Sequence, residues 1–414
     1  MKVLIFGGHG RMGRAAAWDL VRRDEVEQVG LAARRKDALE DARSWLKSPK
    51  TALHVLDVDD RTATQALMRS YNVGINSLPD RRASYSTVDA ASEIGFSLVD
   101  ILEEYHRRPD AYEIENLRLP PNMRLDEYGE HLHARAAESG ATILDGMGFA
   151  PGLSNITVGH GIRRLDAAES VTARVGGIPS RKSAENHPLR YMVTWAFEHV
   201  LREYMIKVDI LEDGRVKEVD ALTGRERFHF NRLGKDEWLE CAVTPGMPSF
   251  LFTRPNLKAF SEKTVRWPGH YDGIDVLKSC GMLDIEPVSV DGRAVSPRAA
   301  LLAALLPRLR ALPGDTDAAV MWNTVDGLKD GIPTRISFSM WDEPDPAQDI
   351  SAMGRVTGFP AAIGAVMLGR GMIKERGLVP PEEAIYGENY RWLTAELLRR
   401  NIRIEERIEP LAPI

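Results

Sequence analysis

Short apolar runs alternate with helix-forming stretches over the first third of the chain. Lys2 to Phe6 (KVLIF) has the continuous apolar character of a strand buried on both faces of a parallel sheet. Gly7-Gly8-His9-Gly10-Arg11-Met12-Gly13 interrupts it, and residues 15–22 then take on helical composition with small residues at their start. Residues 27–33, 52–58, 73–78 and 96–101 read as four further strands, with helices over 61–69 and 84–94 between them. Another helix over 125–139 leads to a sixth strand at 141–145. Strands that alternate with helices predict an α/β fold with a doubly wound parallel sheet, in which ligands sit beyond the carboxyl ends of the strands.

From Gly146 the texture changes. Pro151 is placed to start a helix running to about 164, residues 170–177 read as a strand, and Asp213-Gly214 between apolar runs signals a hairpin over 210–219. Residues 318–325 and 334–341 read as paired strands, 297–312 as an apolar helix, and 360–371 as an apolar helix suited to packing back on the first domain. The expected organisation is therefore a nucleotide-binding domain over 1–146, an inserted α+β substrate and dimerisation domain over 147–350, and C-terminal helices over 351–414. Residues 103–124, charged and carrying Pro109, Pro120 and Pro121, read as an excursion of the kind that forms a flap over a site.

Composition narrows the function classes. The 414 residues carry 54 Lys+Arg against 60 Asp+Glu, a net charge of -6 without long blocks, which argues against a dedicated nucleic-acid surface. The two cysteines, Cys241 and Cys280, share no metal-ligand spacing; no metal site is expected, and a reducing cytoplasm suits the chain. No apolar run approaches the roughly 20 residues of a bilayer span, so no membrane partner is expected. The start does not read as a secretory leader, because Gly7 to Arg14 brings loop chemistry and charge into the apolar run.

Between the first strand and helix, Gly8, Gly10 and Gly13 have the G-x-G-x-x-G spacing. The early glycines allow a tight turn and close backbone approach to a diphosphate, Gly13 allows helix to pack on strand, and the helix N-terminus supplies open N–H groups. Gly7, His9, Arg11 and Met12 complete this candidate cofactor turn. An NAD site usually places an acidic residue about 20 residues further on, to accept the ribose 2′-hydroxyl. Here Ala33-Arg34-Arg35-Lys36 stands at that point. Guanidinium groups pair with a 2′-phosphate, so NADP is expected in preference to NAD. Asp57 and Val58 at the end of the third strand, and Ser77, Leu78 and Pro79 at the end of the fourth, are expected to line the cofactor crevice.

Several blocks resemble the saccharopine dehydrogenase family, most closely its lysine 6-dehydrogenase branch. They are Asp145-Gly146 with Gly148-Phe149-Ala150-Pro151-Gly152-Leu153-Ser154-Asn155, Val175-Gly176-Gly177-Ile178-Pro179, Pro188-Leu189 with Tyr191 and Thr194-Trp195, Thr264-Val265-Arg266-Trp267-Pro268-Gly269-His270, and Thr357-Gly358-Phe359-Pro360-Ala361-Ala362. The resemblance implies a Rossmann domain, an inserted substrate and dimerisation domain, a homodimer, and nicotinamide-dependent oxidation or reduction at a carbon–nitrogen bond of an amino acid or amine. Met192, where the family usually has lysine, and Arg190 depart from its pattern. Two alternatives accompany this reading: a reductase that condenses an aldehyde with an amine, and an NADP-binding sensor or scaffold without turnover. Hydride transfer at such a bond needs a proton acceptor and charge placement. Asp100, at the end of the fifth strand, and His270, closing the Pro268-Gly269 turn, are the candidate catalytic residues. Glu103, Glu104 and His106 follow Asp100 in its loop, and Glu103 and His106 are expected to bind substrate. Arg190 and Arg266 are candidate clamps for a substrate carboxylate, and Tyr191 and Trp195 candidate pocket or interface walls.

Overall fold

A computed structural model describes residues 1–109, 117, 119–195 and 197–411. The chain begins with β1 (Lys2–Phe6), β2 (Gln28–Ala33), β3 (Thr51–Val55), β4 (Val73–Asn76), β5 (Leu98–Asp100) and β6 (Thr142–Asp145). Helices Arg11–Leu20, Lys36–Leu46, Arg61–Met68, Arg81–Ile94 and Leu125–Glu138 connect them. The first helix begins four residues before the sequence expectation, inside the glycine turn. Gly10 (φ -70°, ψ 166°) is its extended N-cap, and the Arg14 N–H closes the first turn on the Gly10 carbonyl at 2.8 Å. The third strand ends at Val55, so Asp57 and Val58 lie in the loop beyond it. Of the excursion at 103–124, residues 110–116 and 118 lie outside the described residues.

After helix Leu153–Arg163 come β7 (Ala167–Pro179), β8 (Lys207–Glu212), β9 (Arg215–Asp220), β10 (Glu226–Phe230), β11 (Glu237–Val243), β12 (Ala259–Arg266), β13 (Val288–Val290), β14 (Arg293–Val295), β15 (Asp317–Lys329) and β16 (Ile332–Asp342). The expected hairpin at Asp213-Gly214 forms, with Glu212 opposite Arg215. β15 and β16 pair antiparallel as expected. Helix Ala352–Gly369 follows, then β17 (Gly377–Val379), helix Gly387–Arg399 and β18 (Glu405–Pro410).

The first sheet has the order β17-β6-β5-β4-β1-β2-β3, with every neighbouring pair parallel. The order reverses between β1 and β4, which is where a Rossmann sheet opens its ligand crevice. Its core includes Leu4, Phe6, Tyr85, Val88, Leu98, Tyr128 and Leu132. A second sheet runs β10-β11-β12-β7-β15-β16-β18, with the β8–β9 hairpin joined through β12. Phe230, Leu239, Val265, Trp267 and Val320 fill a core there.

These elements form two compact units. The first comprises 1–164, 247–255 and 354–402, the second 165–246, 256–353 and 403–414. The boundaries differ from the expected 147–350 insert in three places. Helix Leu153–Arg163 belongs to the first unit, where Asn155 Nδ2 donates to Ser249 Oγ (3.2 Å) and to Glu382 Oε2 (3.1 Å). Segment 247–255 joins the same unit because Ser249 and Thr253 donate to Glu382 Oε1 at 2.7 and 2.8 Å. The residues after 402 do not return to the first sheet; β18 pairs with β16 of the second. Helix Ala352–Gly369 is long and apolar enough to cross a membrane, but 89% of it is buried inside the fold. A Cβ on its Gly358 would lie 2.6 Å from Ala15 Cβ and 2.8 Å from Met12 O, so it packs as a core helix against the first helix.

Candidate functional site

In the first unit, the glycine turn leaves the carboxyl end of β1 beside the end of β4, at the point where strand order reverses. Gly7 takes φ +73°, and the Gly10 N–H donates to its carbonyl at 2.8 Å. Ser77 closes the other side, its hydroxyl donating to Phe6 O at 2.6 Å. A Cβ on Gly13 would lie 2.6 Å from Gly7 O and 2.7 Å from Ser77 Oγ, and one on Gly7 2.9 Å from Ser77 O. Only glycine fits there. The first turn of the following helix carries no acidic side chain, and Gly10 has no side chain to cap its N–H groups, so that end is left for an anion. Arg34 and Arg35 are exposed beyond β2, and neither guanidinium has an acceptor among the described residues. His9 Nδ1 and Arg14 Nε are buried polar atoms with no hydrogen-bond partner among the described residues. An open helix start, an unfilled glycine cradle and unsatisfied cations fit a dinucleotide that carries an additional phosphate.

The expected cofactor residues divide by location. Gly7 to Gly13 and Ser77, Leu78 and Pro79 come together at this crevice. Asp57 is exposed in the loop beyond β3, its Oδ1 accepting from the Asp59 N–H at 3.1 Å, with Val58 half-buried next to it.

Asp100 lies at the end of β5, as expected, but is fully buried. Its Oδ2 accepts from Asn76 Nδ2 (2.6 Å) and Ser84 Oγ (2.7 Å), and its Oδ1 from the Leu102 N–H (2.7 Å). Such a carboxylate orders the strand ends. His106 is buried beside it, with Nε2 2.9 Å from Ser84 Oγ, Nδ1 2.7 Å from Asp145 Oδ1, and its backbone N–H donating to Asp145 Oδ2 at 2.9 Å. Ser84 gives its one proton to Asp100, so His106 Nε2 must donate to Ser84, and a second proton lies on the line between Nδ1 and Asp145. Burial opposes charge on the imidazole, yet the Asp145 carboxylate, helped by Asp100 and Glu104, outweighs it and raises His106 to about 9. Burial pushes the Asp145 carboxyl up, against the pull of His106. The attraction between the two groups holds the shared proton on the imidazole, so the pair is ionised. The row Asp145–His106–Ser84–Asp100 therefore joins the carboxyl ends of β5 and β6 through one imidazole and one hydroxyl. Glu104, in the same loop, accepts from Tyr85 OH at 3.1 Å and pairs with Arg81; Glu103 is half-buried.

A testable consequence concerns pH. A histidine raised in the folded state stabilises fully below its unfolded value near 6.5, and that contribution is lost as pH rises through 9. Denaturant titrations from pH 6 to 10 should show stability falling by ~2–3 kcal/mol over that window, and His106→Gln should flatten the fall. An unchanged slope in the variant would refute the assignment.

In the second unit, His270 opens helix His270–Ser279 after Gly269 (φ +95°), as the Pro268-Gly269 turn predicted. Its Nδ1 donates to the Leu189 carbonyl at 2.9 Å, which leaves Nε2 to accept from Tyr204 OH at 3.0 Å. Tyr204 OH in turn accepts from Arg266 Nε at 3.0 Å. Burial, reinforced by Arg266, lowers His270 to about 3, so its ring is neutral. The Arg266 guanidinium lies 5.3 Å above the Tyr191 ring, and its Nη1 donates to Val265 O at 2.9 Å. Nη2 has no acceptor among the described residues. Arg190 is exposed in a left-handed backbone position (φ 47°) next to Leu189 (φ 59°), outside this cluster. Trp195 stacks on His199. Tyr191, Arg266 and His270 are thus brought together, and Asp100 belongs to the other unit.

Sequence reasoning missed Asn76, Ser84, Asp145 and Tyr204. Asp145 carried a signal, because it opens the Asp145-Gly146 block. It also missed a cavity of about 340 Å³ in the first unit, lined by Tyr105, Arg107, Arg108, His133, Phe252 and Pro380 among others.

Two family descriptions match the chain: the saccharopine dehydrogenase NADP binding domain over residues 3–144, and the saccharopine dehydrogenase C-terminal domain over 148–402. A carboxyaminopropylagmatine dehydrogenase from Synechocystis sp. is 23% identical over 400 residues, covering 92% of each chain. An apo saccharopine dehydrogenase (L-Glu forming) from Saccharomyces cerevisiae superposes with a TM-score of 0.76 at 18% identity, covering 99% of both chains.

Proposed function

We propose, for a chain that belongs to the saccharopine dehydrogenase family, that its substrate is a secondary amine bearing a carboxylate, which it oxidises or forms. Membership makes it an oxidoreductase that binds NADP and acts at a carbon–nitrogen bond of a small amine, which sets aside a sensor without turnover. The observation that carries the finer reading is Arg266. Its guanidinium is buried and held through Nε and Nη1, and Nη2 has no acceptor among the described residues. A positioned guanidinium of that kind suits a carboxylate, and the names of both relatives, saccharopine with L-Glu formed and carboxyaminopropylagmatine, support such a substrate.

When bound, NADP supplies the hydride acceptor or donor. The chain's own residues do the rest. The glycine turn and the helix start hold the diphosphate, and Arg34 and Arg35 take the 2′-phosphate. His106 holds a proton at Nε2 against Ser84 Oγ, and the same hydroxyl donates to Asp100. Neutral His270 fixes Tyr204, which fixes Arg266; it is a positioning residue in this reading. A cytoplasmic homodimer is the setting we propose for it.

Monitoring NADPH absorbance against secondary amino acids, diamino acids and aldehyde–amine pairs tests the reading. Turnover is expected with carboxylate-bearing members. Arg266→Met should raise their KM about tenfold, with a smaller rise for Arg266→Lys. Equal turnover of an analogue lacking the carboxylate would overturn the substrate class.

A further inference from the structure

The cofactor turn contains more basic chemistry than the two arginines beyond β2. His9 lies inside the turn, Arg14 follows on helix Arg11–Leu20, and Arg35 is the N-cap of helix Lys36–Leu46. His9 Nδ1 and Arg14 Nε are both buried with no hydrogen-bond partner among the described residues. A Cβ on Gly10, next to His9, would stand 3.2 Å from Gly7 O, so the turn beside the imidazole is folded tightly on its own backbone. We propose that His9, with Arg14 and Arg35, forms a proton-linked subsite for the 2′-phosphate of NADP, so that binding this phosphate brings one proton from solvent onto the imidazole. The inference rests on the reading that Arg34 and Arg35 face that phosphate.

The charges around the ring set the direction. Burial, then Arg35, then Arg14 hold His9 below its ordinary value, and Asp37 on the second helix opposes them. Among these cations the ring is neutral at neutral pH. A dianionic phosphate reverses the sign of the local field, and the ring then gains both a charge and a second N–H to donate. No covalent bond changes; the proton comes from buffer. NAD lacks the phosphate and leaves the ring neutral. His9 is thus a specificity residue whose contribution appears only with the phosphorylated cofactor.

Calorimetric titration of NADP⁺ and NAD⁺ in two buffers of different ionisation enthalpy tests this between pH 7 and 8, where the phosphate itself is a dianion. The native chain should take up protons with NADP⁺ and none with NAD⁺. His9→Gln and His9→Ala should abolish the uptake and weaken NADP⁺ about tenfold more than NAD⁺. Equal uptake in the variants, or loss of both cofactors together, would overturn the role of His9. Arg35→Asp separates the two levels. If it erases NADP⁺ preference while His9→Gln does not, only the histidine inference fails. If neither alters the preference, the 2′-phosphate reading fails as well.

Discussion

Gly13→Val is expected to weaken NADP⁺ by more than ~100-fold and to lower the melting temperature, because overpacking at a closed contact costs ~1–3 kcal/mol before any cofactor arrives. The reason is spatial. Even a single Cβ at this position would stand 2.6 Å from Gly7 O, 2.7 Å from Ser77 Oγ and 2.8 Å from Gly8 Cα, and two of these three atoms are backbone. The turn can only move outward, into the volume the diphosphate needs, and the helix start moves with it. Gly13→Ala should show the same two effects at smaller size. Calorimetric NADP⁺ titration beside thermal unfolding measures both, and retention of native affinity by the valine variant would remove the glycine turn from the cofactor site.

Glu262→Gln is expected to stabilise the protein at alkaline pH. Glu262 lies on β12, 3% exposed, with Oε2 accepting from Thr244 Oγ1 at 2.7 Å and from the Gly246 N–H at 3.0 Å, and Oε1 buried without a partner among the described residues. Burial raises its carboxyl from 4.5 to about 8, against the hydrogen bonds from Thr244 and Gly246. A carboxyl raised in the folded state binds its proton more tightly there than in the unfolded chain. Stability is therefore lost as pH climbs from 4.5 to 8, and the whole cost is present above 8. Glutamine fills the same space and does not titrate. Urea titrations should show the variant more stable by roughly 3–5 kcal/mol at pH 9, with the gap closing toward pH 5. A variant no more stable than the native chain at pH 9 would show that burial does not raise this carboxyl. This effect and that of His106 run the same way with pH, and the single variants separate them.

The parallel sheet was legible because each of its first six strands is an apolar run followed by a helix, so periodicity and order carry the same information. β17 was not. It is three residues, Gly377–Val379, and completes the sheet from more than two hundred residues beyond β6. Helix starts were misread where glycine hid them, as at Arg11. Asp100 was placed correctly at a strand end, since topology puts strand ends at the crevice. Its character was not legible, because its donors Asn76 and Ser84 come from other elements at separations of 24 and 16 residues. His270 shows the same limit. The Pro-Gly turn before it was visible, but its partners Leu189 and Tyr204 lie 81 and 66 residues back. Local pattern predicts where a side chain stands; hydrogen-bond partners supplied by distant segments decide whether it is free to react.

The distribution of the first unit along the chain has a consequence for its synthesis. On the ribosome, residues 1–164 emerge before the rest of their unit, with β6 paired to β5 but not yet to β17 and with no Ala352–Gly369 helix to lie against the first helix. The edge strand and that helix emerge only after about two hundred further residues, so the nascent nucleotide-binding half waits with an open sheet margin. A gene fragment ending at residue 164 would encode that unfinished intermediate, and exchange of this half between relatives has to carry residues 247–255 and 354–402 along with it.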